Sequence, residues 1–400
     1  MDHVPASSPV PLFLEQSIPV ELASEFVQLE VEGHAVRVHC ATQHYEPEVF
    51  DYYGTLCETI LTPATAGHPL VVQLDFCTDA IVRIRTAPEG EQFPPPTPMV
   101  VGDFDGPTHF QLHRAADRVT IETALLRLEI VHEPLQLLIY DRDDNLIWAT
   151  RALDIACLRR PEVQWNPAEN RWLFYHRYAY PLGWAAHGAT RRAFLSSDLH
   201  YDEHIYGFGE GFGRLDKRET RQRLWNVEAF GNASPGAYKN IPFFMSTRGY
   251  GLFLNTSHAV TAHVGDLEST ALSLIVDDAT NLDLYWIFGP HLAEILPRYT
   301  AITGAPALPP KWSFGLWMGR ISYNRQEQVE QVAADLRGHR IPCDVIHIDT
   351  DWYEHDWACD LEFGRSKFPD PAGMLARLRA QGLRVSLWQW PNLIVGTQMF

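Results

Sequence analysis

Asp349 and Asp351 stand two residues apart in the run HIDTDWYEHDWACDLEF, His347 to Phe363, just after an apolar stretch with strand character. On an extended chain, residues two apart face the same side, with Cα atoms about 6.6 Å apart. That spacing suits a general acid and base acting across a glycosidic bond, whose carboxyl groups sit roughly 5 to 9.5 Å apart. The structural alternative is that the two cap the following loop or pair with Arg320 or Arg365. Trp352 and Trp357 offer flat faces on which a sugar can stack, or anchors that tie the loop down. Cys343, His347, His355 and Cys359 have spacings that zinc accepts, but the first two belong to the strand and the others to the loop. Packing and hydrogen bonding are the default for them, and no metal is expected. In GFGEGFG, Gly207 to Gly213, the glycines are two apart throughout and no helix follows, which predicts a tight turn at a sheet edge rather than a phosphate cradle.

The elements that would position these groups begin after TGAPALPPK, Thr303 to Lys311, a Pro-rich hinge without apolar periodicity and the best domain boundary in the chain. Trp312 to Met318 reads as a buried strand, with Trp317 in the core. Asn324 then reads as a helix cap with Glu327 three residues on, and Val329, Val332, Ala333 and Leu336 recur at helical spacing. Cys343 to Asp349 is a second strand. A second helix follows, capped by Asp370, with Pro371 at its first position, Met374, Leu375 and Leu378 on one face, and Gly382 as the stop. Arg384 to Trp388 is a third strand. Strand, helix, strand, helix, strand opens a parallel array, either an open sheet or a (β/α)8 barrel. No Gly-rich phosphate loop follows the first strand, which favours the barrel. In a barrel the carboxyl ends of the strands face the active site, so Asp349 and Asp351 are read as functional. A barrel takes roughly 250 residues. Only 90 remain from Lys311 to Phe400, so this reading implies a chain truncated after about three strands.

Upstream, from about residue 20 to about 300, the pattern is one of short strands. LVVQLDFCTDAIVRIR, Leu70 to Arg85, and VTIETALLRLEIV, Val119 to Val131, alternate apolar with polar residues. Turn clusters at Glu89-Gly90, Pro94 to Pro98, Asp103 to Gly106 and Asp141 to Asp144 separate such runs, and no helix is expected before about Leu292. These features predict a large antiparallel β-sandwich in residues 1–305 and the first βα units of a barrel in residues 306–400.

The chain has 400 residues, with 32 Lys plus Arg against 50 Asp plus Glu, a net charge of -18. That balance argues against nucleic acid and anionic membrane surfaces as partners. The opening, MDHVPASSPVPLFLEQ, has neither a basic region nor a continuous apolar core, and the six cysteines form no clustered framework, so a soluble, cytoplasmic protein with reduced thiols is expected.

Taken together, KWSFGLWMGR (Lys311 to Arg320), CDVIHIDTDWYEHDWACDLEF (Cys343 to Phe363), FPDPAGM (Phe368 to Met374) and SLWQWP (Ser386 to Pro391) resemble glycoside hydrolase family 31. YGFGEGFG (Tyr206 to Gly213), LWNVEAFG (Leu224 to Gly231) and YKNIPFFMSTRGYGLFLN (Tyr238 to Asn255) resemble the sandwich that precedes that family's barrel. The resemblance implies a galactose-mutarotase-like β-sandwich followed by a (β/α)8 TIM barrel, in α-glucosidases, α-xylosidases and transglycosylases. It moves Asp349 from catalysis to binding, as the aspartate that accepts hydroxyls of the cleaved sugar. Trp388 matches a wall of the same subsite. Glu228 falls on a sandwich loop that leans over the barrel mouth, where the usual residue is Asp.

The family's nucleophile and its acid/base are aspartates on later strands, so no catalytic residue is expected before Phe400. The visible residues would bind substrate, namely Asp349, Asp351, Trp388, Glu228 and Trp352. Asp351 as a C6-hydroxyl acceptor favours glucose, whereas the bulk of Trp388 favours xylose, and the two signals conflict. The reading is a retaining α-glycoside hydrolase acting on oligosaccharides or glycosides, with no cofactor required. Homo-oligomerisation stays open. The alternatives are a non-catalytic carbohydrate-binding protein, an α-transglycosylase, or an aldose epimerase suggested by the sandwich alone.

Overall fold

A computed structural model describes residues 18–400 apart from 53–55, 96, 105–108, 154–158, 167–170, 230, 233 and 398–399. For 50–52, 56, 57, 59, 159–164, 166, 171 and 173–178 the backbone alone is described. The opening run Met1 to Gln16, Cys157, the Cys57 side chain, Phe230 and parts of the turn clusters at 94–98 and 103–106 thus lie outside the described residues. The chain divides into two units, Met1–Ala305 and Pro306–Phe400.

In the first unit, the described strands form a 16-stranded and a 5-stranded sheet. Their facing side chains share one core. Ile121, Leu128, Ile130, Leu137 and Ile139 from the small sheet meet Val36, Val38, Val72, Leu74, Ile84, Leu274 and Trp286 from the large one. The result is a two-layer sandwich. Its ladders are antiparallel with one exception among the described strands, Leu56–Ala66 beside Arg171–Tyr178, which run parallel.

The apolar run from Leu70 is a hairpin, Leu70–Thr78 with Ile81–Pro88, and not one alternating strand. In its first arm only Val71 and Thr78 escape full burial. The polar positions on the second face are buried because they are paired. Asp75 accepts from Arg85 at 2.7 and 3.0 Å and from Gln73 at 2.7 Å, and Asp283 accepts twice from Arg83 at 2.7 Å. Buried charges persist when they are compensated in this way.

Gly207 to Gly213 starts in the edge strand Ile205–Gly209. Gly207 has φ +139°, and a Cβ there would lie 2.5 Å from the Phe243 carbonyl oxygen, so the close approach of two strands requires glycine. The helix Leu292–Thr303 closes the unit, burying Ile295 and Ile302 against Phe253, Tyr285 and Ile287.

The second unit holds three parallel strands, Trp317–Arg320, Val345–Ile348 and Arg384–Leu387, in that spatial order. Two helices, Gln326–Gly338 and Pro371–Ala380, bury Val329, Ala333, Leu336, Met374 and Leu378 against Ile346 and Ile348. This is the expected βαβαβ opening, with local differences. Lys311–Phe314 is a 3₁₀ turn, so the first strand starts at Trp317. Trp317 is 44% exposed and not core, because strand alternation sends Met318, not Trp317, to the helix-covered face.

The first helix begins at Gln326, with Arg325 and not Asn324 at the cap position and no side-chain cap bond. The second helix follows its local signals. Asp370 accepts the Gly373 N–H, Pro371 opens the helix, and Gly382 lies just beyond it at φ +76°. Leu375, read as part of the apolar face, is exposed.

Candidate functional site

The site is built from strand register. Ile348 pairs with Arg320 on one side and Leu387 on the other, so the next residues of the second and third strands, Asp349 and Trp388, leave the sheet at the same level. The Trp388 N–H donates to the Ile348 carbonyl at 2.8 Å and fixes that level. Val345, Ile346 and Ile348 are buried, which gives Asp349 a rigid base at the carboxyl end of the central strand.

Asp349 does not continue the strand. It caps the 3₁₀ turn Thr350–Trp352, accepting the Thr350 N–H on Oδ1 at 2.7 Å. The expectation that Asp349 and Asp351 share one face of an extended chain is therefore overturned, because the backbone turns between them. Asp349 is 27% exposed at its side chain, and its Oδ2 lies 3.9 Å from His347 Nε2. One carboxylate oxygen is thus held by the protein, and the carboxylate stays accessible.

Asp351 is ion-paired, but with neither arginine considered from the sequence: Lys367 Nζ donates to its Oδ1 at 2.6 Å. Trp352 is 3% exposed and donates its indole N–H to the Trp388 carbonyl at 2.7 Å. It therefore acts by holding the loop, with no face left for a ligand. Trp388 is half-buried. Its ring meets Trp357 edge-on at 5.1 Å and Trp390 at 6.1 Å, and Trp357 also meets Trp390 at 5.7 Å. Trp357, 49% exposed, is the accessible member of this aromatic wall. Sequence reasoning passed over Trp390 and Lys367. The WQW pattern could have found the first, since residues two apart on an extended chain share a side.

Cys343 is buried with its thiol near the Leu316 and Val345 carbonyls, and Cys359 is buried beside the Tyr353 hydroxyl at 3.0 Å. His347 meets the Ser386 hydroxyl at 3.2 Å, and His355 is exposed. Each has its own surroundings, and no group of three or more metal-ligating side chains is found among the described residues.

Glu228 belongs to the first unit, on an exposed loop after Leu224. Asn226 braces that loop by accepting the Asn240 backbone N–H at 2.8 Å and its side-chain N–H at 3.0 Å. The Tyr238 hydroxyl donates to the Glu228 carboxylate. No described helix is long and apolar enough to cross a membrane.

Comparison with known proteins agrees with this architecture. Residues 71–262 match the Glycosyl hydrolase 31 N-terminal galactose mutarotase-like domain, and residues 306–398 the Glycosyl hydrolases family 31 TIM-barrel domain. The chain is 38% identical over 202 residues to alpha-xylosidase XylQ of Lactiplantibacillus pentosus, covering 50% of this chain and 26% of that protein. It is 36% identical over 231 residues to an alpha-xylosidase of Emericella nidulans, covering 57% of this chain and 28% of that protein. The chain thus matches little more than a quarter of the length of these relatives. Its fold is similar to that of a Flavobacterium johnsoniae GH31 dextranase solved with isomaltotriose, at TM-score 0.72 and 23% identity, covering 92% of this chain and 38% of that one. With one family's sandwich domain and then its barrel domain matched along the sequence, and three parallel strands where the barrel begins, the chain belongs to glycoside hydrolase family 31.

Proposed function

We propose that this protein is a retaining α-glycoside hydrolase that prefers α-linked xylosides. The observation that carries the reading is Asp349, an accessible carboxylate at the tip of the central parallel strand and level with Trp388. A carboxylate at a strand tip beside aromatic rings is a sugar-binding arrangement, the charge accepting hydroxyls while the rings cover an apolar face.

The sequence leaves glucose and xylose in conflict, and two observations favour xylose. Asp351 is committed to Lys367, which weakens it as an acceptor for a C6 hydroxyl. The relatives at 38% and 36% identity are alpha-xylosidases. Asp349 and Trp388 are assigned to binding and Trp352 to positioning.

No catalytic role is given to Asp349 or Asp351, since one is a cap and the other an ion-pair partner. The double displacement, in which one carboxylate attacks the anomeric carbon and another protonates the leaving oxygen, is assigned to carboxylates outside this chain. The four described cysteines are free thiols, which supports a reducing, cytoplasmic setting.

The test assays the full-length natural protein with aryl α-xyloside and aryl α-glucoside, following the first-formed sugar anomer by NMR. Faster xyloside cleavage with the α-anomer released first is expected, and no turnover from the 400-residue chain alone. Release of the β-anomer first, or hydrolysis of neither substrate by the full-length protein, would overturn the proposal.

A further inference from the structure

His347 lies one step below Asp349 on the central parallel strand. Residues two apart on a strand share a face, and the His347 ring accordingly reaches toward the Asp349 carboxylate. Register sets Gly319 and Ser386 level with His347 on the two flanking strands. Gly319 brings no side chain, and the imidazole lies alongside it: a Cβ there would sit 3.9 Å from the ring Cδ2. The polar contacts of the ring therefore come from elsewhere. The Ser386 hydroxyl is 3.2 Å from Nδ1, and Asp349 Oδ2 is 3.9 Å from Nε2. No other hydrogen-bond partner of the ring is found among the described residues.

These two contacts decide which ring nitrogen carries the proton. A bare Nε2 would turn its lone pair on a carboxylate, whereas an Nε2–H turns its positive end toward it. Nδ1 is then the acceptor, and the Ser386 hydroxyl donates to it. On the carboxylate, Oδ1 already accepts the Thr350 N–H at 2.7 Å, so Oδ2 is the oxygen left for a ligand. At 3.9 Å the Nε2–H is too far to occupy Oδ2 with a hydrogen bond, yet near enough to attract its charge. Oδ2 thus keeps its accepting capacity while its direction is set from below.

We infer that His347 is a positioning residue of the sugar site, aiming the free oxygen of Asp349, and that Ser386 holds the imidazole in the tautomer that can do so. The inference rests on the proposed sugar site at Asp349. An acceptor already aimed costs less to order when the sugar arrives than one that must first be turned. The benefit is the same for bound sugar and transition state, so it falls on KM and not on kcat.

The experiment measures KM and kcat for an aryl α-xyloside in the full-length natural protein. His347→Leu keeps much of the volume and removes both nitrogens. It is expected to raise KM about fivefold, the weight of one neutral hydrogen bond, with kcat within about twofold of wild type. His347→Gln places an amide N–H where Nε2 stood and returns KM close to wild type, which a purely space-filling role would not require. In an Asp349→Asn background His347→Leu adds no further rise, because the histidine acts only through that carboxylate. Should His347→Leu fail to fold, Ser386→Ala decides by the same KM, with a rise that is again absent in the Asp349→Asn background.

An active wild type whose KM is unmoved in the variant, or rises equally in the Asp349→Asn background, would overturn this inference and leave the functional reading standing. A full-length wild type that cleaves neither an aryl α-xyloside nor an aryl α-glucoside would overturn both.

Discussion

Trp352 and Trp388 are joined by a hydrogen bond of 2.7 Å from the indole N–H of the first to the main-chain carbonyl of the second. The Tyr353 hydroxyl reaches the same carbonyl at 3.3 Å. The loop after the second parallel strand is thereby fastened to the end of the third, which keeps the Trp388 ring and the Asp349 carboxylate in a fixed relation. The fastening is side chain to main chain, so it does not depend on which residue stands at 388.

That bond is separable from the packing of the ring. Trp352→Phe keeps most of the buried aromatic volume and loses the N–H, while Tyr353 still donates to the carbonyl. A stability loss of about 1 kcal/mol is expected for the bond alone. Trp352→Ala adds a cavity at a site 3% exposed, with a loss of about 3–5 kcal/mol. Urea unfolding followed by near-UV circular dichroism checks both, and equal losses for the two variants would refute a distinct role for the bond.

His44 lies between two carboxylates in the first unit, 2.6 Å from Glu21 and 2.9 Å from Glu46. Burial disfavours its charged form, but the hydrogen bonds to Glu46 and Glu21 and their charges outweigh burial, and its pKa is raised above the ordinary histidine value. The folded protein therefore binds this proton more tightly than the unfolded chain does. Its contribution is complete below the unfolded value of about 6.5 and is lost as pH rises through the raised folded value. The stability advantage of wild type over His44→Gln should shrink as pH is raised from about 6 upward. Thermal unfolding of both proteins across that range measures it, and an advantage that grows with pH would show the sign to be wrong.

The features legible in the sequence are those encoded locally. The Pro-rich hinge marks the domain break, and the second barrel helix carries its own cap, first-turn proline and stop at Asp370, Pro371 and Gly382. The first barrel helix departs from its local signals at its start because its N-terminus is held by distant groups. Gln326 donates its N–H to the Lys367 carbonyl, and its side-chain carbonyl accepts the Asp370 N–H at 2.9 Å. These bonds replace the cap that Asn324 and Glu327 suggest.

At the site, Asp349 and Trp388 could be placed because strand ends are visible as the end of an apolar run. Their meeting depends on parallel register, which a single sequence does not display. The pairing of Asp351 is hidden for a related reason. Its partner is 16 residues away across an irregular loop, and loops obey no period from which neighbours can be counted.

Asp349 has two tasks, and they can be pulled apart. Its Oδ1 caps the turn by accepting the Thr350 N–H, and its charge is proposed to bind sugar hydroxyls. Asparagine caps as well as aspartate does. Asp349→Asn should therefore unfold at nearly the same temperature as wild type. A charge-assisted hydrogen bond contributes about 1.5–3 kcal/mol against about 0.5–1.5 for a neutral one. The variant should accordingly lose about 10-fold in kcat/KM for an aryl α-xyloside with one such bond, and more with two. Asp349→Ala removes cap and ligand together, so it should lose both activity and about 1 kcal/mol of stability. Unchanged kcat/KM in a well-folded Asp349→Asn protein would mean that the carboxylate is a cap and nothing more.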